Sequence, residues 1–180
     1  DVEVGKTVYT GLLNQRGGYE SDLTVLRLKT QEFMLITGSA QAVRDADWIG
    51  RNVDTEAHIF LTDVTSAWSV LALMGPRSRD VLKKLTKVDL SNKAFPFASW
   101  QQIDLGYATV IANRMTYVGE LGWELVVPVE FTVGVYEDLM LAGADSGIRD
   151  AGYYALEGLR LEKGFRAWSR ELTPDISPFQ

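Results

Sequence analysis

The sequence predicts an α+β protein built on antiparallel sheets, with helices packed on one face. Three observations support that class. Apolar runs of strand length, some alternating in character, recur throughout the 180-residue chain. Stretches with apolar residues at three- and four-residue steps stand between several of them. Short glycine-containing turns join others. A chain of this length can bury a sizeable core.

Residues 8–13 and 23–28 read as strands joined across Gln15-Arg16-Gly17-Gly18, where two glycines can take positive φ and reverse the chain. Residues 32–37, with Phe33, Met34, Leu35 and Ile36, read as a short buried strand. Gly38-Ser39 punctuates it, and Ser39 is placed to N-cap a helix over residues 40–51 whose apolar face is Val43, Ala46 and Ile49. Residues 58–65 read as a further strand.

A second unit is expected from Ser66 onward. Residues 67–74 are an apolar strand, which Gly75-Pro76 turns into a helix with proline at its favoured first position. Val81, Leu82 and Leu85 form that helix's buried stripe. Residues 102–105 and 107–114 read as adjacent strands broken at Gly106, and residues 123–129 alternate cleanly. A helix over 130–142 turns Phe131, Val135 and Leu139 inward. Asp145-Ser146-Gly147 is a turn, Ile148 begins a short extended piece, and residues 151–164 are helical with Gly164 as C-cap. The order β-α-β-β-α-β resembles a split βαβ sandwich.

Composition removes several function classes. The net charge of −6, with no lysine- or arginine-rich block, leaves no basic face for nucleic acid. No apolar run is long enough to span a bilayer, and no amino-terminal signal pattern is present. The absence of cysteine excludes disulfides, thiolate metal sites and a cysteine nucleophile. The single histidine, His58, excludes a histidine-rich metal site, so no metal centre is expected. No G-x-G-x-x-G follows a strand, so the chain carries no dinucleotide fold of its own, and it holds neither a phosphate loop nor H-E-x-x-H. A serine triad would need His58, which sits beside Ile59, Phe60 and Leu61 and reads as structural. A cytoplasmic or mitochondrial-matrix location is the default, and nothing sets an oligomeric state. The chain opens at Asp1-Val2-Glu3-Val4 without an initiator methionine and stops at Ser177-Pro178-Phe179-Gln180, which reads as a piece of a longer polypeptide.

Three segments carry chemistry. The first runs from Leu13 through Gly17-Gly18 to Asp22. A carboxylate entering an apolar strand beyond a glycine turn can be partly desolvated, and so suited to a cation or a transferable proton. The alternative is that Asp22 caps the hairpin through its own backbone. In the second, Tyr117 to Leu125, alternation turns Glu124 away from Trp123 and Leu125. In a cleft, Glu124 can accept two parallel N–H bonds from an aminopyrimidine-type ring; otherwise it lies on a solvated strand face. Gly119 and Gly122 there suggest close backbone approach. The third, Tyr153 to Arg166, puts Ala155, Leu159 and Glu162 on one helix face. Either Arg160 or the Tyr153-Tyr154 pair lines a cleft, or the helix is simply buried with ion pairs at its edge.

Taken in order, these segments resemble the aminomethyltransferase (T-protein) family of glycine cleavage. The marks are Gly17-Gly18 to Asp22, the Tyr-x-Gly-Glu-x-Gly-x-Glu run from Tyr117 to Glu124, and Leu159-Arg160-Leu161-Glu162-Lys163-Gly164. Leu73-Met74-Gly75-Pro76-Arg77-Ser78-Arg79 is similar to the opening of that family's second unit. Residues 164–174 are more similar to the folate-binding half of dimethylglycine and sarcosine dehydrogenases. The resemblance covers essentially the whole chain.

The resemblance implies ferredoxin-like split βαβ units of the T-protein folate-binding fold. Residues 1–65 would be part of a first subdomain truncated at its start, and residues 66–180 a second. A flavin domain and a carboxy-terminal barrel would lie outside this chain. It implies a flavin-linked N-methylglycine dehydrogenase in which FAD, in the parent protein only, oxidises the amine to an iminium. This region would then capture the one-carbon unit on tetrahydrofolate as 5,10-methylenetetrahydrofolate. By the same resemblance Asp22 is the catalytic acid beside the reacting folate nitrogen, Glu124 holds the pterin ring and Tyr117 lines the site. The implied partners are a reduced folate and an iminium derived from N-methylated glycine. Two positions depart from the family: Leu156 stands where T-proteins usually have arginine, and Ser169 where glycine is common. Leu156 keeps open a non-catalytic alternative, a module like the regulatory subunit of pyruvate dehydrogenase phosphatase.

Overall fold

The computed structural model describes residues 2–180. Two compact units divide the chain: one runs from its start to Val64 and includes Arg166–Gln180, the other is Thr65–Phe165.

The first unit holds an antiparallel sheet of β1 (Thr7–Leu13), β2 (Tyr19–Lys29) and β3 (Glu32–Thr37), in that order, with helix α1 (Ala42–Asn52). Asn14 organises the β1–β2 turn. Its Oδ1 accepts the N–H groups of Arg16 at 2.9 Å and Gly18 at 3.0 Å, a side-chain mimic of a backbone turn. The two turn glycines answer different demands. Gly17 has φ +82°, whereas a Cβ on Gly18 would stand 1.8 Å from the carbonyl oxygen of Pro174.

That contact shows how the last segment is held. Asn14 Nδ2 donates to the Pro174 carbonyl at 3.1 Å, the Tyr19 N–H reaches the Thr173 carbonyl at 3.2 Å, and Trp168 Nε1 donates to the Tyr19 carbonyl at 3.1 Å. The Arg44 guanidinium lies 5.1 Å from the centre of a Trp168 ring. Residues 166–180 therefore group with the first unit, where the sequence reading placed them in the second. Their attachment is made of backbone carbonyls, Asn14, the Trp168 ring and an Arg16–Asp175 ion pair, which leave no periodic mark.

Helix α1 buries a different face from the one expected. Val43 and Ala46 are exposed; Asp45 is buried, and Trp48 and Ile49 are half-buried beside it. Asp45 is held through its Oδ2, which accepts the Thr37 hydroxyl. Ser39 does not cap this helix. It opens a single tight turn, Ser39–Gln41, and the residue preceding α1 is Gln41 with no side-chain cap. Nor do residues 58–65 form a strand: the sheet ends at β3, and Ile59, Phe60 and Leu61 are exposed without a ladder to join. Apolar alternation makes a strand only where a neighbour supplies its hydrogen bonds.

The second unit contains β4 (Trp68–Met74), α2 (Ser78–Leu82), β5 (Trp100–Leu105), β6 (Ala108–Asn113), β7 (Gly122–Pro128), α3 (Thr132–Gly143) and α4 (Tyr153–Glu162). Its sheet runs β4-β7-β6-β5, antiparallel throughout. The α+β class and its antiparallel sheets are as the sequence predicts, although three consecutive strands lie between α2 and α3. Ile148 forms no strand but packs against the core, and Pro76 lies two residues ahead of α2 rather than at its first position. One sheet face carries the core: Leu73, Trp123, Leu125, Val127, Val110 and Ile103, covered by Val81 and Leu82 of α2 and Val135 and Leu139 of α3. Phe131 precedes α3 and stays partly exposed.

Helix α4 reverses the usual pattern. Tyr153, Tyr154, Leu159 and Leu161 are exposed, while Glu157 and Arg160 are buried together. The Arg160 guanidinium meets Glu157 Oε2 at 2.7 Å and donates to the Phe165 carbonyl at 2.8 Å. Between them Gly164, at φ +71°, ends the helix as expected. Arg160 thus fixes both the helix and the chain just beyond it.

The Gly18 contact yields a prediction. Gly17→Ala, which meets only conformational strain, should cost about 1–2 kcal/mol. Gly18→Ala must displace the backbone at Pro174, and should cost more, at least about 2 kcal/mol. Thermal unfolding of the two variants checks the order; equal losses would contradict it.

Candidate functional site

Alternation along β7 decides where its acid points. Trp123 and Leu125 are wholly buried in the core, so Glu124 faces the opposite side of the sheet. The register there lines up Ala72 on β4, Glu124 on β7, Asn113 on β6 and Trp100 on β5 in one row across four strands. Next to it run Val126 and Ile111, both buried. Glu124 therefore sits half-buried, with the buried Val126, Ile111 and Asn113 on one side and the exposed Ala72 on the other.

Its hydrogen-bond partner is a neutral one. Asn113, with no exposed surface, donates from Nδ2 to Glu124 Oε2 at 3.0 Å. Glu124 Oε1 takes no hydrogen bond among the described residues. Burial pushes the Glu124 carboxyl above the ordinary glutamate range, and the Asn113 bond opposes that rise without cancelling it. An acid so placed favours a partner that brings N–H groups to it.

Tyr117 is half-buried in the loop between β6 and β7, which leads directly to Glu124. The glycines of this loop and of the start of β7 are constrained as the sequence suggests. Gly119 has φ +72° with the Lys163 side chain against it, and a Cβ on Gly122 would stand 2.9 Å from the Leu73 carbonyl oxygen. Lys163 closes on Glu120 at 2.9 Å.

Asp22 lies in the other unit, on β2, opposite Gly11 of β1. It does not cap the turn; Asn14 does. Asp22 instead accepts the Tyr9 hydroxyl on Oδ2 at 2.6 Å, a short bond of the kind made to a charged oxygen. Ser21 and Thr37 reach towards α1 through Gln41 and Asp45, so alternation puts Asp22 on the sheet face away from α1. The opposing glycine adds no side chain beside the carboxylate. Glu124 is thus joined to Asn113 within one unit, and Asp22 to Tyr9 within the other. Sequence reasoning missed both Asn113 and Tyr9. An asparagine ending the apolar run of β6 was a usable signal; Tyr9, in a mixed strand, offered none. Of the third segment, Arg160 is committed to Glu157 and Phe165, and the two tyrosines are exposed.

The two units have a counterpart among known structures. Aminomethyltransferase T of the glycine cleavage system from Bartonella henselae superposes with a TM-score of 0.79 at 28% identity, over 98% of this chain and 46% of its own. The family follows from the sequence: residues 1–180 match the GCVT N-terminal domain, and the chain belongs to that family. Mouse mitochondrial sarcosine dehydrogenase is 43% identical over 98% of this chain, and the mouse mitochondrial pyruvate dehydrogenase phosphatase regulatory subunit is 38% identical over 100% of it. The chain spans 21% of the length of each.

The raised carboxyl of Glu124 sets a pH dependence. Because its folded pKa lies above the unfolded one, stability is fully present below the ordinary glutamate range and declines as pH rises through the raised value. Glu124→Gln keeps an oxygen for Asn113 and should remove that decline. Melting curves across this interval should diverge, with the variant relatively more stable at the higher pH. Parallel curves would contradict the assignment.

Proposed function

We propose that this chain is the tetrahydrofolate-dependent one-carbon transfer region of a flavin-linked N-methylglycine dehydrogenase. The observation that carries the reading is the Glu124 carboxylate on a half-buried sheet face, with one oxygen held by Asn113 and the other open to a donor. A pterin fits that arrangement, since its aminopyrimidine edge presents adjacent N–H groups to a carboxylate. Tyr117, in the loop before β7, would line the same site. The 43% identity to a sarcosine dehydrogenase supports the choice of an N-methylated glycine as the amine. The mitochondrial relatives favour a mitochondrial location.

Tetrahydrofolate, when bound, supplies the amine that accepts the one-carbon unit. Asp22 would accept the proton that the folate nitrogen sheds on bonding to the iminium carbon, whose bond to the amine nitrogen breaks in turn to release the demethylated amine, and its negative charge would stabilise the cationic iminium beforehand. Tyr9 positions the Asp22 carboxylate through its hydroxyl. The antiparallel sheets offer no doubly wound parallel fold for FAD, which on this reading would be bound by a further part of the parent protein.

A second reading is a regulatory module without turnover. The 38% identity to a phosphatase regulatory subunit favours it, as does Leu156 in place of arginine.

The full-length protein, supplied with sarcosine or dimethylglycine and a reduced folate, separates these readings. Asp22→Asn should slow formation of 5,10-methylenetetrahydrofolate by about a hundredfold to ten-thousandfold. Tyr9→Phe should slow it roughly tenfold. An unchanged rate in Asp22→Asn would contradict the role given to that acid. A folded wild-type protein that oxidises no N-methylated glycine would support the regulatory reading.

A further inference from the structure

Arg79 on α2 and Arg114, just beyond β6, converge on the same neutral groups. Arg79 Nη2 donates to Asn92 Oδ1 at 2.6 Å, and Arg114 Nη2 donates to the same oxygen at 2.8 Å. Arg114 Nη1 also donates to the Phe95 carbonyl. The central carbons of both guanidiniums stand 5.8 Å from the centre of a Trp123 ring. Two like charges therefore share one acceptor and one aromatic side chain.

No carboxylate answers them. Neither arginine makes an ion pair among the described residues, in a chain with 24 acidic and 18 basic side chains, where acids are the commoner partner. Arg79 Nε and Trp123 Nε1 are buried with no acceptor. The guanidinium of Arg114 is held below its usual pKa by burial and by the charge of Arg79. Asn92 and Phe95 occupy only a minority of the N–H groups that two guanidiniums present. Arg79 is half-exposed and Asn92 exposed, so the pair opens to solvent. Trp123 and Glu124 point to opposite sides of the sheet, which separates this cluster from the Glu124 row.

We propose that Arg79 and Arg114 form an oxyanion site on the helix-bearing side of this unit, taking one carboxylate or phosphate group. Planar guanidiniums match both groups in bidentate geometry, and an oxyanion would neutralise the repulsion between them.

The protein is titrated with sodium phosphate, and separately with sodium acetate, while its melting temperature is followed against sodium chloride at matched ionic strength. Phosphate or acetate should raise the midpoint saturably beyond chloride, and Arg79→Gln should remove that increment. Saturation at lower phosphate than acetate assigns a phosphoryl ligand; the reverse order assigns a carboxylate. Should Arg79→Gln not fold, Arg79→Lys serves instead: it keeps the charge but loses the fork, and should need roughly tenfold more anion. Increments no larger than with chloride, or undiminished in the variants, would overturn the proposal.

Discussion

A carboxylate half-buried on a sheet face, with a single neutral side chain bonded to it, is the constraint around which this structure turns. β7 must bury Trp123 and Leu125 on its helix side, and strand alternation then delivers Glu124 to the other side, among Val126, Ile111 and Asn113. Burial disfavours the charged form, so the site depends on a donor that tolerates burial. Asn113 meets that need without adding charge. An arginine in its place would quench the acid and leave it less receptive to an incoming N–H group. The tight approach of Gly122 to the Leu73 carbonyl keeps β7 close to β4, and so keeps the row intact.

The first unit solves a related problem by delegation. A hairpin needs its turn hydrogen-bonded, and Asn14 does this with one side-chain oxygen. Asp22, a few residues along β2, is thereby left to Tyr9 alone among the described residues. The same turn receives residues 166–180, whose Pro174 carbonyl occupies the space a Gly18 side chain would fill. One short loop thus serves chain reversal, attachment of the distant segment and release of the acid.

Much of this was legible in the sequence. Residues 32–37 were bounded correctly, the alternation at 123–129 gave the facing of Glu124, and Gly164 ends its helix as anticipated. The failures share a cause. Val43, Ala46 and Ile49 looked like a helix's inner face, but Asp45 is buried because Thr37 on the neighbouring strand receives it. Residues 58–65 have the character of a strand and no partner. Helix α4 carries apolar residues at helical spacing, yet the residues it buries are Glu157 and Arg160, an ion pair of the kind the simpler reading places at its edge, with Arg160 also held by backbone beyond the helix end. In each case a polar partner, or the want of a strand to pair with, overrode the local apolar pattern. Ser169 fits the same account: it takes φ +68°, a conformation suited to the glycine that the resemblance leads one to expect there.

On the proposed reading, Glu124 is a proton-retentive carboxylate that receives a nitrogenous ring. Its direct test is carbon NMR of the full-length protein labelled at glutamate carboxyl carbons, with the Glu124 signal assigned by its loss in Glu124→Gln. The expected result is a titration midpoint above that of ordinary glutamate, and displacement of the signal when a reduced folate is added. An ordinary midpoint, with a signal indifferent to folate, would contradict it.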